Sequence, residues 1–72
     1  MVTEFTVVYT PIPSGYMGQL LEWPEVISEG ESLEACRQSI QDALKEMILA
    51  YQQQNRIIPM GDALIEKVPA EV

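Results

Sequence analysis

The sequence predicts an α+β fold of order β-β-β-α-β: a three-stranded antiparallel meander plus a fourth strand, with one long helix packed on one face. Three observations predict it. First, Ser32 to Gln54 places Leu33, Cys36, Ile40, Ala43, Leu44, Met47, Ile48 and Tyr51 at steps of 3, 4, 3, 1, 3, 1 and 3, which is one apolar stripe on an α-helix. Second, three short segments upstream of it are rich in β-branched, aromatic or aliphatic residues and are separated by Pro and Gly, the pattern of strands and turns. Third, Ala63 to Val68 reads ALIEKV and is halted by Pro69, a last strand after the helix.

Taken in order, Thr3 to Thr10 (TEFTVVYT) is the first strand. Alternation puts Phe5, Val7 and Tyr9 on the core face, with Glu4, Thr6, Val8 and Thr10 on the other. Pro11 to Gly15 stops this strand, since two prolines remove ladder donors and Gly15 permits a turn, and a five-residue hairpin loop follows. Tyr16 to Leu21 is the second strand. Both of its alternating sets are mostly apolar; Tyr16, Gly18 and Leu20 are favoured inward, because Gly18 lets a helix approach and Gln19 prefers water. Glu22-Trp23-Pro24-Glu25 is the next turn, Val26 to Ser28 a short third strand, and Glu29-Gly30 its end.

Ser32 is placed as the helix N-cap, with Glu31 and Glu34 beside the positive end of the helix dipole. The helix ends in Gln52, Gln53, Gln54 and Asn55, and Pro59 closes the segment. A right-handed crossover then sets the fourth strand beside the first, in sheet order 3-2-1-4. At 1.5 Å per residue the helix is about 33 Å long, against about 20 Å for a six-residue strand. Ile48, Tyr51 and the glutamines are therefore expected to overhang the sheet. The face without a helix is expected to show Val8, Met17 and Leu21, with Ile65 from the last strand. Val8, Met17, Leu21 and Tyr51 are thus the candidate oligomer surface.

Composition narrows the function. A chain of 72 residues makes one domain with a small core. The lone Cys36 excludes an internal disulfide and, lying on the apolar stripe, reads as a small buried hydrophobe. Assembly as a homo-oligomer, a dimer or tetramer, is the remaining way to enlarge the core. Eleven carboxylates against four basic residues give a net charge of −7, which disfavours direct nucleic-acid binding and matches a basic protein partner or a simply solvated surface. No run of 18 apolar residues predicts a membrane span. Met1 to Glu4 lacks the basic start of a signal peptide, so a cytoplasmic location is expected.

Catalytic chemistry has little to work with. There is no histidine, and Cys36 has no base to activate it. Glu22, Glu25, Glu29 and Glu31 cluster within ten residues, but their spacing fits no calcium loop and reads better as a solvated acidic rim than as a magnesium site. The glycines form no phosphate cradle. No enzyme activity, metal or cofactor is expected.

Gly15-Tyr16 with Gly18, the Glu22-Trp23-Pro24 turn, Ser28-Glu29-Gly30, the helix start Ser32-Leu33-Glu34-Ala35, Ile40 and Ala43 on the stripe, and Ile58-Pro59 together resemble the HicB family of antitoxins. Glu25 stands where that pattern usually has Gly, and Leu21 where it often has Pro. The resemblance implies a reduced RNase H-like fold without catalytic carboxylates. It also implies that the domain binds and masks a small basic HicA-type mRNA interferase. The segment that binds operator DNA in many family members is not visible in residues 1–72, read as a single HicB-like domain. Glu22, Trp23, Glu25 and Glu29 are the candidate partner-binding residues, although Trp23 reads equally as a lid on the core. The alternatives are an orphan adaptor or structural domain that self-associates, and a degenerate nuclease that keeps metal-dependent activity.

Overall fold

The computed structural model describes residues 4–59 and 64–72. Its elements are β1 (Val7–Ile12), β2 (Gly15–Leu20), β3 (Ile27–Gly30) and α1 (Leu33–Gln53). The three strands form one antiparallel sheet of order β1-β2-β3, as the meander predicts.

The first hairpin is tighter than its prolines suggest. β1 runs on through Pro11 to Ile12, and only Pro13 and Ser14 lie in the turn before Gly15 starts β2. Pro11 is tolerated because β1 is an edge strand that, among the described residues, pairs only with β2, Pro11 lying opposite Tyr16. Gly15 has φ +142°, a conformation that side chains resist, and its Cα faces the backbone of Glu31 so closely that an added Cβ would lie 2.7 Å from the Glu31 Cα. At the other end of β1, Thr6 stands before the strand instead of within it.

β2 faces as the sequence suggests. Gly18 and Leu20 are buried, and a Cβ on Gly18 would approach the Cys36 Sγ at 3.2 Å, so the missing side chain lets α1 lie close. β3 begins one residue later than expected, at Ile27, which leaves Val26 as a buried turn residue bonded from its N–H to the Trp23 carbonyl at 3.0 Å. Gly30 ends β3 directly under the helix: a Cβ there would sit 2.7 Å from the backbone Cα of Cys36. Here glycine serves close packing more than flexibility.

The helix buries the predicted stripe. Cys36, Ile40 and Tyr51 are buried, while Leu33, Ala43, Leu44, Met47 and Ile48 are half-buried. The Ser32 side chain accepts a hydrogen bond from the Ala35 N–H at 3.1 Å, the expected N-cap. The C-terminus is capped too. Asn55 takes φ +55°, the Arg56 N–H bonds the Tyr51 carbonyl at 2.9 Å, and the Asn55 N–H bonds that of Gln52 at 3.2 Å. That pair of bonds around a left-handed residue is a Schellman cap.

The core joins Leu20, Trp23, Val26, Ile40 and Tyr51, with Phe5, Val7, Leu44, Met47 and Ile58 packed around it. The helix is about 31 Å long for its 21 residues, yet its end is not uncovered. The turn after β2 folds Trp23 against Tyr51, ring centroids 4.8 Å apart in a T-shaped arrangement, and Phe5 backs Trp23 at 6.1 Å. Arg56 lies over the outer face of Tyr51, its guanidinium carbon 4.0 Å from the ring centroid. Tyr51 is 6% exposed, against the expectation that it overhangs the sheet.

The expected fourth strand is not part of this sheet. Leu64 to Val68 is not in a strand, and Ala63, where it was to begin, lies outside the described residues. The outer edge of β1 has no strand partner among the described residues. Within one chain this short segment, cut off by Pro69, gains few ladder bonds to offset an ordering cost of about 1–2 kcal/mol per residue, and no further surface is buried with it. Leu64, Ile65 and Val68 are accordingly exposed.

Candidate partner-binding surface

The four sequence-predicted partner residues fall into different environments. Glu22 is a clamp. Its Oε1 accepts the Thr6 N–H and its Oε2 the Thr6 hydroxyl, both at 2.7 Å, and the Leu21 N–H returns a bond to the Thr6 carbonyl at 2.8 Å. These bonds close the open end of the β1–β2 hairpin. The Thr6 N–H is the main reason the Glu22 carboxyl sits below the ordinary glutamate range; partial desolvation pushes the other way, and the Thr6 hydroxyl adds to the lowering.

Trp23 is 2% exposed. Of the two sequence readings, its indole takes the core-lid position and presents no surface to a partner. Its Nε1 is buried without a hydrogen-bond partner among the described residues. Glu25 is exposed and accepts the Tyr51 hydroxyl at 3.1 Å. Glu29 is exposed on β3, opposite Met17. The carboxylates therefore do not converge, and among the described residues no three acidic or thiol groups come together as a metal site.

The helix-free face carries the expected Val8 and Met17. The register lines up Val8, Gln19 and Ile27 in one row across the sheet, and Thr10, Met17 and Glu29 in the next. Val8 is 48% exposed, Ile27 47%, and Leu21, just past β2, 42%. Polar side chains interrupt the apolar ones, and the Gln19 amide is itself engaged, donating to the Pro24 carbonyl at 2.9 Å. Tyr51, the fourth candidate oligomer residue, is on the opposite side in the core.

One feature escaped the sequence reading. Between the start of β3 and the second half of α1 runs a groove of about 220 Å³, with Val26, Ile27, Ala43, Met47 and Ala50 along it and Glu25 and Glu46 at its rim. Ala43 and Met47 are legible as stripe residues, but the stripe alone does not say that β3 is too short to cover them. Among the described residues β3 is also an edge strand, bonded only to β2. The groove is therefore mostly apolar, lies beside a strand edge that is unpaired among the described residues, and has carboxylates on its border.

No protein-family model matches the chain, and no curated protein is found to match it. Among the described residues no helix is long and apolar enough to cross a membrane.

Proposed function

We propose that this chain is a HicB-like antitoxin, or a module derived from one, that acts by protein–protein contact and has no catalytic reaction of its own. Its partner is a small basic HicA-type mRNA interferase whose active site it masks. The observation that carries this reading is the acid-rimmed apolar groove between β3 and α1, on a chain of net charge −7. Opposite charge speeds encounter and selects the partner, while the buried apolar contacts set the lifetime of the complex. The residues behind the family resemblance have structural roles in this chain. Gly15, Gly18 and Gly30 stand at close approaches and Ser32 at the helix cap.

The finer parts of the reading belong together: the RNase H-like topology, a homo-oligomer, a cytoplasmic location, and no direct contact with nucleic acid. Co-expression tests the function. A small basic HicA-type interferase should arrest growth when expressed alone, and this chain should restore growth and co-purify with it. Failure to co-purify or to rescue rejects the antitoxin reading. The self-associating adaptor is favoured by a separate observation, the exposed Val8, Ile27 and Leu21, and it predicts assembly with no toxin bound.

A further inference from the structure

β1 is an edge strand with no strand paired to its outer side among the described residues, and its sequence VVYTPI contains no charge. Pro11 blunts one end of this edge, but along Val7 to Thr10 its free N–H and C=O groups still template pairing with another chain. The same molecule carries an unused strand-like segment. Leu64, Ile65 and Val68 are 101%, 60% and 76% exposed, so the chain holds both a bare edge and an apolar ribbon that touches little. The described molecule is also extended. Its radius of gyration is 14.0 Å, against about 11 Å for a compact chain of this length. Its longest dimension is 46 Å, well beyond the helix.

We propose that two copies of this chain complete each other's sheets, residues 64–68 of each lying as a fourth strand along the β1 edge of the other. The connection can reach. From Arg56, anchored on the Tyr51 ring, to Leu64 an extended chain spans about 26–29 Å. Strand alternation divides the segment into Ile65 with Lys67, and Leu64 with Glu66 and Val68. Either facing therefore adds an aliphatic side chain to the face that holds Val8 and Ile27. A second copy is the fitting occupant because each chain offers one uncharged β1 edge and one ribbon, whereas the other free edge, β3, carries Glu29. Reciprocal exchange about a two-fold axis covers both edges and both ribbons, and the assembly closes at a dimer. The uncharged β1 also opposes no charge of the segment, a repulsion that would otherwise weigh on joining two chains of net charge −7. The inference goes beyond the antitoxin reading, and its test contains no toxin, so either can fail without the other.

The test uses the full chain. Light scattering should give twice the 8.1 kDa chain mass. A mixture of isotope-labelled and unlabelled chains should show filtered NOEs between residues 64–68 and Val7–Ile12 across the interface. Ile65→Pro lies in an exposed segment and leaves the core intact, while removing a ladder N–H; it should weaken dimerisation about tenfold or more. Val8→Glu tests the receiving side and should do the same. A monomeric mass at millimolar concentration overturns the proposal. So do contacts of 64–68 with β1 that prove intramolecular, or a dimer that Ile65→Pro leaves undiminished.

Discussion

Replacing Trp23 by Ala separates a core lid from a partner-contact residue in the isolated protein. Trp23 is 2% exposed and packs between Phe5 and Tyr51, so truncation removes the whole side chain from a well-filled site. Large-to-small changes of this kind cost about 3–5 kcal/mol. A 72-residue domain has a total stability of only about 4–11 kcal/mol at typical per-residue values. Trp23→Ala should therefore remove a large share of it. Trp23→Phe is the informative companion. It loses part of the ring area but also removes the buried, unpartnered Nε1–H, whose desolvation costs about 1–3 kcal/mol. These opposing terms leave a net change within about 1 kcal/mol of the parent. Urea denaturation followed by far-ultraviolet circular dichroism reads both variants without relying on the tryptophan. A loss below about 1 kcal/mol for Trp23→Ala would refute the packing argument, since surface substitutions behave that way. The single tryptophan gives a second check: its emission should be blue-shifted and poorly quenched by iodide in the folded parent.

The lowered Glu22 pKa makes a signed prediction. A carboxylate depressed in the folded state contributes stability that is present above its unfolded value near pH ~4.3 and is lost as pH falls through the lower folded value. Glu22→Gln should thus lower the melting temperature near neutral pH and flatten its fall on acidification; an acid limb identical to the parent's contradicts the Thr6 clamp. Gly30→Ala forces a Cβ against the helix backbone at Ala35 and Cys36, and should destabilise by about 1–3 kcal/mol as other overpacked sites do, measured by denaturant midpoint. Ser32→Ala removes the helix N-cap bond to Ala35 and should cost about 1 kcal/mol, while Ser32→Asp should restore most of it.

Several elements were legible because their signals are local. All eight predicted stripe positions of α1 are buried or half-buried, since spacing alone sets which side chains share a helix face. Ser32 was legible as a cap for the same reason. The first hairpin departs from its sequence reading because Pro11 ends a strand only where its N–H is needed, and on an edge strand the missing N–H costs no ladder bond. The cover over Tyr51 comes from Trp23 and Phe5, 28 and 46 positions away in sequence; comparing the lengths of helix and strand could not reveal a lid made by a turn. Asn55 was readable in principle, as asparagine is one of the few residues that adopts the left-handed region at a helix end. On the candidate surface, Glu29 and Val8 are exposed as expected. The groove beside β3 was not legible, because it depends on where that short strand stops.

The most direct measurement is titration of the isotope-labelled chain with a purified HicA-type interferase, the proposed partner, at low and high salt, followed residue by residue. The account predicts saturable shifts clustered at Ile27, Ala43, Glu46, Met47 and Ala50, weaker binding at high salt, and loss of RNA cleavage by the bound enzyme. Binding that leaves those residues unmoved, or no binding at low salt, contradicts it.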